Sequence, residues 1–255
     1  MTMATVTLLT DFGTRDFFVG SLKGALLKEC PDCRIVDISH EVEIFDIRRA
    51  AFLLWASWKA FPSGTVHLTV VDPGVGTQRA LLYMEREGHH FFAPDNGLLT
   101  YVHTGQETVY EVEYPQDLQA GASTTFHARD LFAPCVGRFI KGGALDKTPF
   151  TDHILLPYTP PEKSGGGIAR GQVMEVDRFG NLITDLPAAW IDWGSGAIKV
   201  KNSTLRGWFR AYEELKGFEP GMLPGSLGTV ELAVRRGSAA KALAAGVGEP
   251  VVYLP

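Results

Sequence analysis

Apolar positions along the first half of the chain switch repeatedly between two periods. Residues 6–10 (VTLLT) are a short continuous apolar run of the kind a buried strand shows, and 17–29 carry Val19, Leu22, Leu26 and Leu27 at helical spacing. A second strand is predicted over 34–38 (RIVDI), a helix over 47–60 and a third strand over 65–71 (TVHLTVV). ALLYME and HHFFA, turning at Glu87-Gly88, read as a hairpin, and 129–141 as a closing helix. Phe17, Phe18, Phe52, Trp55 and Trp58 have the spacing of core residues. Strands alternating with helices of this length predict a layered α/β domain over 1–156, with a mostly parallel central sheet.

The pattern changes after residues 157–168, PYTPPEKSGGGI, a Pro-then-Gly stretch without hydrophobic period that reads as a linker. Beyond it, 172–176, 182–185, 197–200 and 229–235 are short strand patterns punctuated by Gly, with one helical stretch near 238–245. The expectation for 169–255 is a smaller β-rich, barrel-like domain.

Charge and composition exclude several classes. The 24 Lys and Arg against 29 Asp and Glu leave a net charge of −5, without the basic patch of a nucleic-acid binder. No apolar run approaches the roughly 20 residues of a spanning helix, so no membrane contact is expected. The first residues, MTMATVTLLTDFG, lack the basic n-region of a signal peptide, and the three Cys fit reduced thiols. The expected location is therefore the cytoplasm. Cys30 and Cys33 have redox spacing, but at the end of a predicted helix, where no N-terminal dipole lowers a thiol pKa. Their spacing to Cys135 and His40 matches no recognised zinc site, so no metal is expected.

Candidate chemistry gathers at strand ends, where ligands collect in open α/β sheets. Asp11 follows the first strand directly and Asp72 the third, each opening a Gly-containing loop. An acid there can take a ribose diol, a cation or a water proton; the plain alternative is a turn or helix cap. In DPGVGTQR a compact turn brings Arg79 back towards Asp72, either as a positioned site pair or as an ordinary surface ion pair. His127, in TFHARDLF, precedes a helix and is placed to line the same face. In VDRFGNLITD, Asp177 precedes a Phe179-Gly180-Asn181 turn that suits either close ligand approach or a simple hairpin.

Taken together, TDFGTRDFFVG, IVDISHEVEIFDI, VVDPGVGTQR, APDNGLL, TFHARDLFAP, VDRFGNLITD and GSLGTVELAVRRGSA resemble, in order, the SAM hydroxide adenosyltransferase family. These are hydrolytic relatives of the bacterial fluorinase and chlorinase. The resemblance implies an N-terminal α/β domain, a C-terminal β-barrel domain and a homotrimer with sites between subunits. It also implies cleavage of S-adenosyl-L-methionine (SAM) by water into adenosine and L-methionine, with SAM as substrate and no cofactor. The family's Asp-Arg-His set falls on Asp72, Arg79 and His127. By the same resemblance Asp11 holds the ribose hydroxyls, Phe45 lies beside the ligand, and Asp177 takes the methionine amino group. Asn181 meets the adenine edge, Tyr212 stacks on adenine, and Ser226 binds the methionine carboxylate.

Two departures matter. The family's Asn-Ser pair is Gly225-Ser226 here, and Ala128 stands where the halogenases carry a Ser. The alternatives are a SAM-dependent 5′-halogenase, disfavoured by Ala128 and by the Asp-Arg-His set, and a non-catalytic SAM or adenosine sensor.

Overall fold

The computed structural model describes residues 3–255, which divide into two compact units, the first ending at Pro157 and the second spanning Tyr158–Pro255. The first unit holds a seven-stranded sheet: β1 (Thr5–Thr10), β2 (Arg34–Ser39), β3 (Val66–Val70), β4 (Leu81–Arg86), β5 (His89–Pro94), β6 (Val109–Val112) and β7 (Lys147–Pro149). Their order is β2-β1-β3-β5-β4-β6-β7. The strands from β2 to β5 pair in parallel, whereas β5-β4, β4-β6 and β6-β7 are antiparallel. The parallel character is thus concentrated in the half that carries Asp11 and Asp72. The β4-β5 hairpin turns at Glu87 and Gly88, both with positive φ.

Helices cover both faces of this sheet. Leu22 and Leu26 of α1 (Phe18–Glu29) and Val136 of α4 (Ala133–Ile140) pack with Val6, Leu8, Leu68 and Phe92. Leu54 of α2 (Ile47–Ser57) and Trp58 pack with Leu9 and Phe91 on the other face. Adjacent residues such as Phe91 and Phe92 serve opposite faces, so β1 and β3 read as continuous apolar runs rather than alternating ones. A short α3 (Gln116–Gln119) precedes α4.

Three sequence expectations fail locally. Phe17, spaced as core, is 64% exposed and stacks on Phe18 at 4.5 Å, because α1 begins only at Phe18. Leu27 is also exposed, at the edge of the face that Leu22 and Leu26 bury. The predicted helix over 129–141 is a π-helical turn at Ala128–Phe132 running into α4. Such turns change the direction of the residues they carry, here immediately after His127.

The second unit is an eight-stranded, nearly closed, barrel-like antiparallel sheet. Its strands are β8 (Glu162–Lys163), β9 (Ala169–Val176), β10 (Leu182–Pro187), β11 (Ala197–Val200), β12 (Ser203–Leu205), β13 (Gly221–Pro224), β14 (Thr229–Ala233) and β15 (Pro250–Leu254). The main order is β12-β11-β15-β9-β10-β14-β13, with β8 pairing β9. Part of the stretch expected as a linker is therefore ordered sheet. Ala169, Val173, Leu182, Ile198, Val200, Val230, Leu232, Val251 and Tyr253 fill the interior at the period of two that strands impose. One helix, α5 (Ala239–Leu243), is capped by Ser238, whose hydroxyl accepts from the Lys241 amide at 3.2 Å.

Among the described residues no helix is long and apolar enough to cross a membrane. Burial pushes the Cys33 thiol up to about 11, the reverse of what a reactive Cys-x-x-Cys thiol needs.

Candidate active site

Parallel pairing of β1 with β3 matches Thr10 to Val70, so Asp11 and Asp72 emerge at the same carboxyl end. The loop from Asp72 to Arg79 is held tightly. The Thr77 hydroxyl donates to the Gly74 carbonyl at 2.8 Å, and Gly76 has φ 85° where a Cβ would lie 2.6 Å from the Thr124 oxygen. Glycine is required there both by conformation and by the close approach. This geometry folds Arg79 over Asp72. Its Nε donates to both carboxylate oxygens, at 2.7 and 2.8 Å, and its Nη2 donates to Oδ2 as well. The two side chains are only 8% and 6% exposed, so this is a desolvated pair and not the surface ion pair that spacing also allowed.

Arg79 also reaches His127: Nη1 donates to Nδ1 at 2.9 Å. A guanidinium has no acceptor, so Nδ1 is the accepting nitrogen and the ring proton sits on Nε2. Burial, then the Arg79 charge, holds the His127 pKa below its ordinary 6.5, so the ring is neutral at pH 7. Phe132 supports both groups, with the guanidinium 5.3 Å above its ring and the imidazole edge-on at 6.5 Å. The structure thus joins the three residues placed together by the family resemblance.

Asp72 and His127 line a cleft of 370 Å³ with Asp11, Phe12, Phe18, Phe45, Phe126 and Ala128 among its walls. The walls are largely aromatic and apolar, with the Asp11 carboxylate and the Arg79-paired Asp72 among them, an environment that suits a cationic, ring-bearing ligand. Asp11 accepts the Phe45 amide at 3.0 Å through Oδ2. Phe45 itself has φ 67° and is 63% exposed, an unfavourable conformation for a bulky residue that presents its ring at the rim.

The second unit assembles a different set. The Asp177 carboxylate accepts the amides of Phe179 and Asn181 through Oδ1, and the Asn181 Nδ2 through Oδ2, each at 2.9 Å. The carboxylate thereby shapes the turn, as the plain hairpin reading expects. Gly180 has φ 83°, and a Cβ there would meet the Ser238 Oγ at 2.3 Å. Tyr212 is exposed, but its hydroxyl donates to Glu231 at 2.5 Å. Ser226 is exposed in a turn closed by Gly228 donating to Gly225.

Sequence reasoning missed two groups. Glu231 is 6% exposed, and burial, reinforced by the charge of Asp177, raises its pKa against the opposing effect of the Tyr212 hydrogen bond. A lone acid inside the apolar strand TVELA was the available signal. In APDNGLL, the Asp95 amide donates to the Ala80 carbonyl at 3.0 Å and the Asn96 Nδ2 to the Val71 carbonyl at 2.8 Å. These neighbours clamp both ends of the loop bearing Asp72 and Arg79.

The sequence models of the SAM hydroxide adenosyltransferase N-terminal and C-terminal domains match residues 6–149 and 171–252. The chain belongs to the SAM hydroxide adenosyltransferase family. It is 33% identical to the (R)-S-adenosyl-L-methionine hydrolase of Thermus thermophilus, over 99% of this chain and 100% of that one. A fluorinase from an Actinoplanes species is more distant, 28% identical over 71% of each chain. The crystal structure of an uncharacterized conserved protein from Thermotoga maritima superposes with a TM-score of 0.86 at 31% identity, covering 98% of this chain and 100% of that one. Membership in the SAM hydroxide adenosyltransferases thus spans both units, the cleft-bearing one and the barrel-like one.

Proposed function

We propose that this protein hydrolyses SAM, by attack of water at C5′, to adenosine and L-methionine. The observation that carries the reading is the buried Asp72–Arg79–His127 set at the wall of an apolar cleft, in a chain homologous to a named SAM hydrolase over its full length. A halide needs no proton acceptor, whereas an attacking water must lose a proton, which gives a carboxylate in the wall a use.

The step balances simply. An oxygen–C5′ bond forms as the C5′–sulfur bond breaks, and the electron pair neutralises the sulfonium as methionine's thioether. The water oxygen becomes a protonated 5′-hydroxyl, an acid far stronger than any carboxylic acid. The Asp72 carboxylate is placed to take that proton, because it retains lone pairs beyond those Arg79 occupies. His127 has Nδ1 engaged by Arg79 and already bears a proton on Nε2, so it serves as a donor that orients the water. Keeping His127 neutral also spares the sulfonium a second positive charge. The apolar walls exclude competing water and leave the nucleophile poorly solvated.

Asp11 is assigned to the ribose hydroxyls and Phe45 to the ligand's flank. In the second unit we assign Asp177 to the methionine amino group, Asn181 and Tyr212 to adenine, and Ser226 to the methionine carboxylate. The exposed Phe45 and Phe179, at 63% and 76%, stand beside these two residue sets and support their coverage in an assembly, for which the family resemblance implies a homotrimer. No cofactor enters this reaction scheme. The (R) sulfonium epimer is the expected substrate, from the name of the Thermus relative. Incubating each epimer separately and quantifying adenosine against methionine tests the reading. Equimolar products from the (R) epimer support it, and unchanged SAM of both configurations rejects it.

A further inference from the structure

Arg79 and His127 have a second side. Together with Thr77, Glu111, Tyr114 and Gln116 they line another cavity, of 430 Å³. His127 belongs to the walls of both spaces, Asp72 to the cleft and Arg79 to the second cavity, so the ion pair forms a partition between them. Of the five guanidinium N–H groups, Nε, one on Nη1 and one on Nη2 are engaged by Asp72 and His127. One N–H on each terminal nitrogen remains, on a side chain that is 8% exposed. The Tyr114 hydroxyl is buried and has no protein partner among the described residues. Its ring lies parallel to Phe132, at 6.3 Å and 14°, the same ring that Arg79 covers. Arg79 and Asp72 are both among the charges acting on that hydroxyl.

Buried polar groups without protein partners are ordinarily satisfied by water, and a space of this size, with Arg79, Glu111, Gln116 and His127 among its walls, has room for several molecules at about 30 Å³ each. Building on the hydrolase reading, we propose that this cavity is a water site serving the reaction. Tyr114 is a positioning residue in it: its hydroxyl and the remaining Arg79 N–H groups hold water that passes His127 to reach the cleft. With SAM seated between apolar walls, replacement water then arrives from behind the ion pair and need not cross the substrate.

Tyr114→Phe separates this from a structural role. Removing a buried hydroxyl that has no protein partner leaves stability unchanged or slightly raised. If the hydroxyl holds reaction water, kcat falls about tenfold, the worth of one hydrogen bond, with KM for SAM unchanged and Tm no lower. Gln116→Trp, which crowds the second cavity from its exposed rim, is expected to lower kcat in the same way. A high-resolution crystal structure of the wild-type protein supplies a readout independent of turnover: an ordered water within hydrogen-bonding distance of both Tyr114 Oη and Arg79. Absence of that water, or wild-type kcat in Tyr114→Phe, overturns the inference while leaving an active hydrolase. A wild-type protein that leaves SAM intact overturns the hydrolase reading and, with it, the kinetic role claimed for this water.

Discussion

Replacing Arg79 by methionine tests whether the ion pair is desolvated and organises the site. The substitution keeps much of the side chain's length but leaves the Asp72 carboxylate, 6% exposed, without a counterion. Breaking a buried pair on one side costs roughly 3–5 kcal/mol, because an uncompensated charge stays behind. For a unit of about 150 residues that lowers Tm by roughly 6–20 °C, at about 2–4 °C per kcal/mol. Adding Asp72→Asn removes the stranded charge and is expected to restore most of the lost stability, since a pair replaced on both sides is close to neutral. Activity behaves oppositely: both the single and the double variant lose it, the single because Asp72 and His127 are no longer held in place by Arg79, the double because the proton acceptor is gone as well. The assay is thermal denaturation of wild type, both single variants and the double variant, with adenosine formation measured alongside. An Arg79→Met protein destabilised by less than about 1 kcal/mol, the range of an exposed pair, refutes the claim that the pair is desolvated.

Other outcomes follow from the same geometry. Asp72→Ala, which removes the proton acceptor, and His127→Ala, which removes the donor that orients the water, are each expected to lose at least about two orders of magnitude in kcat, the lower end of what a positioned base or a positioned hydrogen-bond donor contributes; a variant within threefold of wild type, roughly 0.65 kcal/mol of barrier, removes that residue from its role. Since the His127 pKa lies below 6.5, kcat/KM is expected to hold down to about pH 6.5 and fall only at lower pH, as the protonated ring repels Arg79 and substrate; a loss beginning above pH 7 contradicts the neutral assignment. Asn96→Ala releases the Val71 carbonyl and is expected to lower kcat more than it raises KM, whereas wild-type kcat would show that the clamp is dispensable. His67, bonded to Thr7 at 2.7 Å and His89 at 3.1 Å, has its pKa pushed down to about 3 by burial first and then by neighbouring histidines. Its folded pKa lies below its unfolded one, so stability is complete above about pH 6.5 and declines by up to about 1.4 kcal/mol per pH unit below it. Urea denaturation of His67→Gln at several pH values is expected to give a flatter acid limb, and an unchanged slope would contradict the assignment.

The sequence carried the alternation of strands and helices because β1 and β3, buried on both faces, are dense apolar runs. It could not announce β7, a three-residue edge strand ending in Pro149, or β6, four residues with mixed burial. Phe17 misled for a simple reason: helical spacing says which residues share a face, not where the helix begins. Within the site, the Asp72–Arg79 pairing was legible because a glycine-containing turn forces residues seven apart to meet. The contact of Arg79 with His127, 48 residues on, depends on the π-helical turn and on Phe132, neither of which has a local signature. Asp177 shows the converse, since spacing left turn and ligand roles equal and the fold uses its carboxylate in the turn. Glu231 was hidden by its company, an acid whose burial becomes apparent only when β14 is packed between β10 and β13.

Mass spectrometry of SAM incubated with the protein in ¹⁸O-labelled water, with and without chloride or fluoride, tests the central claim most directly. Hydrolysis at C5′ yields adenosine carrying ¹⁸O at the 5′ position and unlabelled methionine, in amounts that halide does not change. A 5′-halo-adenosine, or adenosine without the label, would contradict it.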